Sequence, residues 1–159
     1  MIKNDNSVGT TGIAELTTAF AVFTETGIIA QLTSTLLERK LPKGMVTAQF
    51  GVLNHLSSRP SGETPLQLAR AFQVPKTSMT HSLAVLEREA LVETVPNPED
   101  GRSKIVCITP AGLRFRAGLI EALAPDVVQT LAPLTPGTLE QLLPLLRDLR
   151  RVMDDARNG

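Results

Sequence analysis

Two stretches of helical spacing separated only by Gln73-Val74-Pro75, and followed at once by two strand-like runs, constrain this chain more than any other feature. The first opens with Thr64-Pro65, an N-cap followed by proline at the position where a missing N–H costs nothing, and it turns Leu68, Ala69 and Phe72 to one face. The second carries Met79, Leu83 and Leu86 at helical spacing as far as Ala90. Leu91 to Val95 and Lys104 to Thr109 then read as two short strands. The turn-rich segment Pro96 to Arg102 joins them as a long hairpin.

A short helix, a tight turn, a second helix and a hairpin make up the winged helix-turn-helix arrangement. In that geometry the first helix braces and the second lays its N-terminal turn in the major groove of double-stranded DNA, while the hairpin tip reaches the adjacent minor groove or backbone. The stripe Met79, Leu83, Leu86 leaves Lys76, Thr77, Ser78, Thr80, His81 and Ala84 on the opposite face. Thr77 and Ser78 can cap the helix and donate to a phosphate, and Thr80 and His81 can reach base edges. Taken alone, these hydroxyls are more simply read as caps and solvated surface. The hairpin tip, Asn97 to Lys104, sets Arg102 and Lys104 on either side of Ser103, and an arginine on such a protrusion suits the negative potential of a narrow minor groove. Asp100 is the orienting residue, either by pairing with Arg102 or by capping the turn.

Around this unit lie longer helical patterns. Residues 1–12 are aperiodic and polar and are expected to form a flexible tail. Ile13, Leu16, Phe20, Phe23, Ile28, Leu32 and Leu36 mark a helix over 13–40. Thr47 precedes a second helix with Phe50, Val52, Leu53 and Leu56. Thr109-Pro110 and Thr135-Pro136 repeat the cap-and-proline start, opening helices with Leu113, Ala117 and Ile120, and then with Leu139, Leu142, Leu143, Leu146, Leu149 and Met153. Pro125 and Pro144 fall inside these helices, where proline removes a hydrogen bond and clashes with the preceding turn, so a break or kink is expected near Pro125 and a kink at Pro144. Terminal helices too apolar to be covered by a small winged domain favour a homodimer.

Composition narrows the function further. The 16 Lys and Arg equal the 16 Asp and Glu, so any surface that attracts nucleic acid must be local. With five Phe and no Trp or Tyr, a stacking platform for single strands has little to be built from. The one cysteine, Cys107, excludes an internal disulfide, and with no second thiol to resolve an oxidised sulfur it reads as structural. His55 and His81 are too few for a metal site, no cofactor motif is present, and no catalytic constellation appears. The window Ala19 to Leu37 is interrupted by Glu25, Gln31 and several Thr, which argues against a bilayer-spanning helix; with no apolar leader at the start, a soluble cytoplasmic protein is expected.

Residues 44–112 resemble the MarR family of bacterial transcription regulators. Gly44-Met45-Val46-Thr47-Ala48-Gln49-Phe50 is similar to that family's start of the second helix, Leu68 to Phe72 to its bracing helix, and Met79 to Glu87 to its recognition helix. Pro98-Glu99-Asp100-Gly101-Arg102-Ser103-Lys104, followed by Val106-Cys107-Ile108-Thr109-Pro110-Ala111-Gly112, resembles its wing signature and the start of the next helix. The resemblance implies a mainly α winged helix-turn-helix protein: an N-terminal dimerisation helix over 13–40, a DNA-binding domain over 44–112 and C-terminal dimerisation helices over 113–156. It also implies minor-groove contact by Arg102 and a repressor role released by a small ligand at a pseudo-palindromic operator. Two positions depart from the pattern. Gln73 stands where such turns often use glycine, costing about 1–2 kcal/mol if a left-handed geometry is kept, and His81 stands where arginine is common.

An effector crevice between dimerisation helices and DNA-binding lobe would draw apolar walls from Phe20, Phe23 and Phe50, with His55 or Arg59 as polar contact. It would suit a small aromatic or weakly acidic compound. The plainer reading of these phenylalanines is core. A rival from another class is a dimeric scaffold whose winged domain no longer binds DNA usefully; neutral net charge and His81 favour it, and Lys76, Arg102 and Lys104 oppose it.

Overall fold

The computed structural model describes residues 7–158. In chain order the elements are α1 (Ser7–Glu38), α2 (Thr47–Leu56), α3 (Pro65–Ala71), α4 (Lys76–Arg88), β1 (Val92–Pro96), β2 (Lys104–Ile108), α5 (Pro110–Leu131) and α6 (Thr138–Asn158). The chain divides into two compact units, residues 1–123 and 124–159.

The core of the first unit is assembled from the apolar stripes of its short elements. Val52, Leu53 and Leu56 of α2, Leu68 and Ala69 of α3, and Met79, Leu83 and Leu86 of α4 close over Leu91, Val92 and Val106, with Met45, Phe72, Val74, Ile108 and Phe115 packed around them. The start of α3 is fixed by its own cap as well. Thr64 Oγ1 accepts from the Gln67 N–H at 3.2 Å, and Gln67 Oε1 accepts from the Thr64 N–H at 2.7 Å, a reciprocal capping box with Pro65 at the first helical position.

Both α3 and α4 end in the same six-residue motif. The Val74 N–H donates to Ala69 O at 3.0 Å and the Gln73 N–H to Arg70 O at 3.1 Å; the Leu91 N–H donates to Leu86 O and the Ala90 N–H to Glu87 O, each at 2.9 Å. These are Schellman closures, which place the residue after the cap in the left-handed region and normally use glycine there. Here Gln73 has φ 54° and Ala90 φ 55°. The tight turn therefore keeps its left-handed geometry and carries the expected strain.

The two strands pair antiparallel, in a register from Val92 opposite Ile108 to Pro96 opposite Lys104. On the far side of β2, Glu63 makes a single bridge to Val106. The sheet passes directly into α5: Thr109 Oγ1 donates to Ala90 O at 2.7 Å and accepts from the Gly112 N–H at 3.0 Å. Gly112 lies so close to the Leu91 carbonyl that any Cβ there would overlap it.

Several expectations need correction. Residues 7–12, expected to be tail, belong to α1, while 1–6 lie outside the described residues. Extending a formed helix gains a hydrogen bond per residue, and the modest propensity of Thr10, Thr11 and Gly12 does not stop it. The last helix begins at Thr138, not beside Thr135-Pro136, because Gly137 has φ +85° and cannot continue a right-handed helix from Pro136. In α5 the face buried within the chain is Gly112, Leu119 and Leu123, with Phe115 half-buried, while Leu113 and Ile120 are exposed. The contact of Gly112 on Leu91 sets that rotation. Of the break or kink expected near Pro125, the break does not occur, since α5 runs through it to Leu131, while α6 continues through Pro144, where no end was expected.

Finally, Gly12–Glu38 is long and apolar enough, by length and composition, to cross a bilayer, contrary to the reading of Glu25, Gln31 and the threonines as interruptions. Thr17, Thr18, Thr24, Thr26 and Thr35 each turn their hydroxyl onto the carbonyl four residues back. That bond hides the polar atom against the helix itself.

Candidate nucleic-acid interface

The face of α4 away from the core presents Lys76, Thr77, Ser78, Thr80, His81 and Ala84 to solvent. What distinguishes this helix is its start. In α2 the Val46 N–H donates to Gln49 Oε1 at 2.9 Å, and α3 has its full capping box. The residue before α4 is Pro75, which offers no side-chain cap. Thr77 and Ser78, expected as caps, lie inside the first turn instead, and Pro75 at the N-cap offers the turn's leading amides no side-chain acceptor. Such amides, together with the positive end of the helix dipole, suit an anion. Thr80 spends its hydroxyl proton on Lys76 O at 2.9 Å, leaving its oxygen to accept.

The wing tip is held by its own polar groups. Asn97 Oδ1 accepts from the Glu99 N–H at 3.0 Å, and Asp100 Oδ1 accepts from the Arg102 N–H at 3.0 Å. The Ser103 N–H donates to Asp100 O at 2.9 Å, and Asn97 Nδ2 donates to Ser103 Oγ at 2.8 Å. Of the two roles open to Asp100, the turn cap is the one adopted; its carboxylate holds the backbone of Arg102, not its guanidinium. Ser103, half-buried, directs its hydroxyl into the wing. Arg102 and Lys104 are exposed and, like Lys76, have no ion-pair partner among the described residues. Three unpaired cations thus project from a unit whose chain is neutral overall.

The residues considered for an effector site sit in different surroundings. Phe20 and Phe23 touch edge to face at 6.2 Å on α1, with Phe20 66% exposed, whereas Phe50 is buried at 9%. His55 and Arg59 both turn to Glu63, a residue with no role in the sequence reading. His55 Nε2 lies 3.0 Å from Glu63 Oε2, and Arg59 Nε pairs with Glu63 Oε1. The four-residue interval from Arg59 to Glu63 was the available signal, but no helix spans it to give the spacing meaning. A cleft of about 280 Å³ lies elsewhere in the first unit, between Pro42 to Met45, the end of α4 and Phe115. No cluster of three or more His, Cys, Asp or Glu suited to a metal occurs among the described residues.

Comparison with known proteins agrees with this geometry. A profile of the MarR family matches residues 43–103. The transcriptional activatory protein BadR of Rhodopseudomonas palustris is 30% identical over 126 residues, spanning 72% of this chain and 69% of the relative. Among solved structures, the transcriptional regulator BldR of Sulfolobus solfataricus superposes with a TM-score of 0.71 at 24% identity, over 86% of this chain and 97% of that one. A mutant MarR of E. coli complexed with operator DNA gives a TM-score of 0.67 at 27% identity, over 81% of this chain and 93% of that one. With the winged helix-turn-helix in place and both comparisons in accord, the chain belongs to the MarR family, DNA-binding transcription regulators that catalyse no reaction.

Proposed function

We propose that the chain acts as a homodimer on a pseudo-palindromic operator, each protomer setting α4 in a major groove and Arg102 in the neighbouring minor groove. The observation that carries this reading is the exposed start of α4, given no side-chain cap by Pro75, in one compact unit with the exposed Arg102, whose backbone the wing turn holds. Lys76, Thr77 and Ser78 engage backbone phosphate, Thr80 and His81 face base edges, and Lys104 adds phosphate contact from the wing; Ser103 serves by holding the wing's shape.

Dimerisation is supported by apolar surface that the protomer leaves open. Ile13, Leu16, Phe20, Ile28 and Leu32 on α1, and Leu139, Leu142, Leu143 and Leu146 on α6, are all exposed. A second copy is the occupant we assign to the α1 surface, in preference to a bilayer, because two recognition helices about one DNA turn apart need a two-fold partner. Action on DNA places the protein in the cytoplasm.

A small aromatic or weakly acidic effector fits the same scheme. Since His55 and Arg59 are engaged with Glu63, we place the effector in the cleft at Met45, Val85, Leu91 and Phe115, where Lys43 supplies a cation and Arg88 is paired with Glu89. The family resemblance implies repression and the relative BadR is named an activator; the sign follows from where the operator lies relative to the promoter.

Selection of bound duplexes from a random DNA pool tests the proposal. Enriched inverted half-sites centred about one helical turn apart are expected, and a pool that shows no enrichment would leave the protein-interaction scaffold as the better reading.

A further inference from the structure

Glu63 sits where three parts of the winged domain meet. Its N–H donates to Val106 O at 3.1 Å and its carbonyl accepts from the Val106 N–H at 2.9 Å. Both polar groups of one strand residue point to the same side, so this bridge holds the edge of β2 that β1 leaves open. The preceding Gly62, at φ +69°, lies flat on the strand: a Cβ there would come within 2.5 Å of Val106 O and 2.7 Å of Cys107 Sγ.

The Glu63 carboxylate looks the other way. It accepts from Arg59 Nε and, with the proton on Nε2, from His55 at 3.0 Å; Arg59 in turn donates through Nη1 to His55 O and Ser58 Oγ, each at 3.1 Å. His55 rests edge-on against Phe72, with ring centroids 5.3 Å apart, and Phe72 is the C-cap of α3 beside the Gln73 turn. The His55 and Glu63 side chains are only 19% and 18% exposed, so the pairing is partly shielded from salt. One carboxylate therefore ties the end of α2 to β2, the strand that leads back through Lys104 and Ser103 to Arg102.

We propose that Glu63 is a positioning residue for the wing, fixing the direction in which β2 carries Arg102 toward DNA through its clamp on His55 and Arg59. The proposal rests on the reading of Arg102 as a DNA contact. Without the carboxylate, the two backbone bonds to Val106 and the turn bonds from the Arg59 N–H to Leu56 O and from the Gly62 N–H to Arg59 O would remain, but the Glu63 side chain would no longer join the bridged residue to His55 and Arg59.

A double-mutant cycle separates positioning from plain stabilisation. The full chain would be titrated with a duplex recovered from the random pool, comparing wild type, Glu63→Gln, Arg102→Ala and the double variant, with melting temperature recorded for each. Glu63→Gln should weaken binding by about tenfold when Arg102 is present and have almost no effect in the Arg102→Ala background. An equal loss in both backgrounds would overturn the clamp while leaving the DNA reading intact. Failure of the wild-type chain to bind any duplex would overturn both. If Glu63→Gln does not fold, Arg59→Gln removes one arm of the clamp at a more exposed side chain and runs through the same cycle with the same two outcomes.

Discussion

Ala90 is the residue at which replacing a side chain with hydrogen should make this protein more stable. It follows the C-cap of α4, at φ 55°, in a closure whose two hydrogen bonds require that conformation. The left-handed region costs an L-residue about 1–2 kcal/mol, while glycine's extra freedom in the unfolded chain costs about 0.5–1 kcal/mol, so the balance for Ala90→Gly is a gain of about 0.5–1 kcal/mol. Only an exposed methyl group is lost. For a chain of this size that gain raises the melting temperature by about 1–4 °C. Gln73→Gly should move the same way by less, because a larger side chain and its contacts go with the strain. Ala84→Gly provides the control. It sits on the exposed face of α4 in ordinary helical geometry, where glycine costs about 1 kcal/mol and lowers the melting temperature by about 2–4 °C. Thermal and urea unfolding should be compared at one protein concentration, since the apparent stability of the proposed dimer would depend on it. If Ala90→Gly falls alongside Ala84→Gly, the Schellman closures are not storing the strain assigned to them.

Gly112→Ala should cost more than about 2 kcal/mol, read as a fall of at least about 4 °C in melting temperature, because the new methyl overlaps Leu91 O and comes within 2.8 Å of Ile108 Cγ1; an unchanged value would mean that the start of α5 can move aside. Arg102→Ala should weaken operator binding about tenfold and flatten the plot of log affinity against log salt by about 0.9, with melting temperature unchanged, whereas unaltered binding would place the wing off the DNA. His81→Arg should tighten binding and steepen that slope by about 0.9, and a slope that stays the same would put residue 81 out of reach of the backbone. Leu146→Glu should convert a dimer to a monomer in sedimentation, since an unpaired charge in a packed interface is strongly destabilising; a persistent dimer would remove α6 from the interface.

The winged core was legible because its signals are local. Thr64-Pro65 and Thr109-Pro110 announce helix starts through hydrogen bonds spanning three residues, and Met79, Leu83 and Leu86 define a face within one short helix. Features that depend on distant partners were not legible. The rotation of α5 is set by Gly112 meeting Leu91, and a helix apolar on two sides gives no hint of which side faces inward. Thr135-Pro136 looked like Thr64-Pro65, yet one glycine two residues after the threonine changes the backbone path. The uncapped start of α4 was obscured because Thr77 and Ser78 are good capping types placed too late to cap. His55 and Arg59 were noticed as polar groups, but the carboxylate that engages them lies beyond a loop whose course no periodicity reveals.

The apolar surface of α1 also bears on synthesis. A ribosome adds about 5–20 residues per second, so α1 is complete roughly 6–24 s before residue 158 is joined. Throughout that interval the most membrane-like segment of the protein is outside any core, and nothing later in its own unit buries its apolar stripe. On the proposed reading in which a second copy covers this face, the nascent chain must be kept from bilayers until a partner arrives. Translation of many copies from one message would shorten that wait by raising the local supply of partners, which makes the yield of active regulator depend on how densely its message is loaded as well as on how stable the finished protein is.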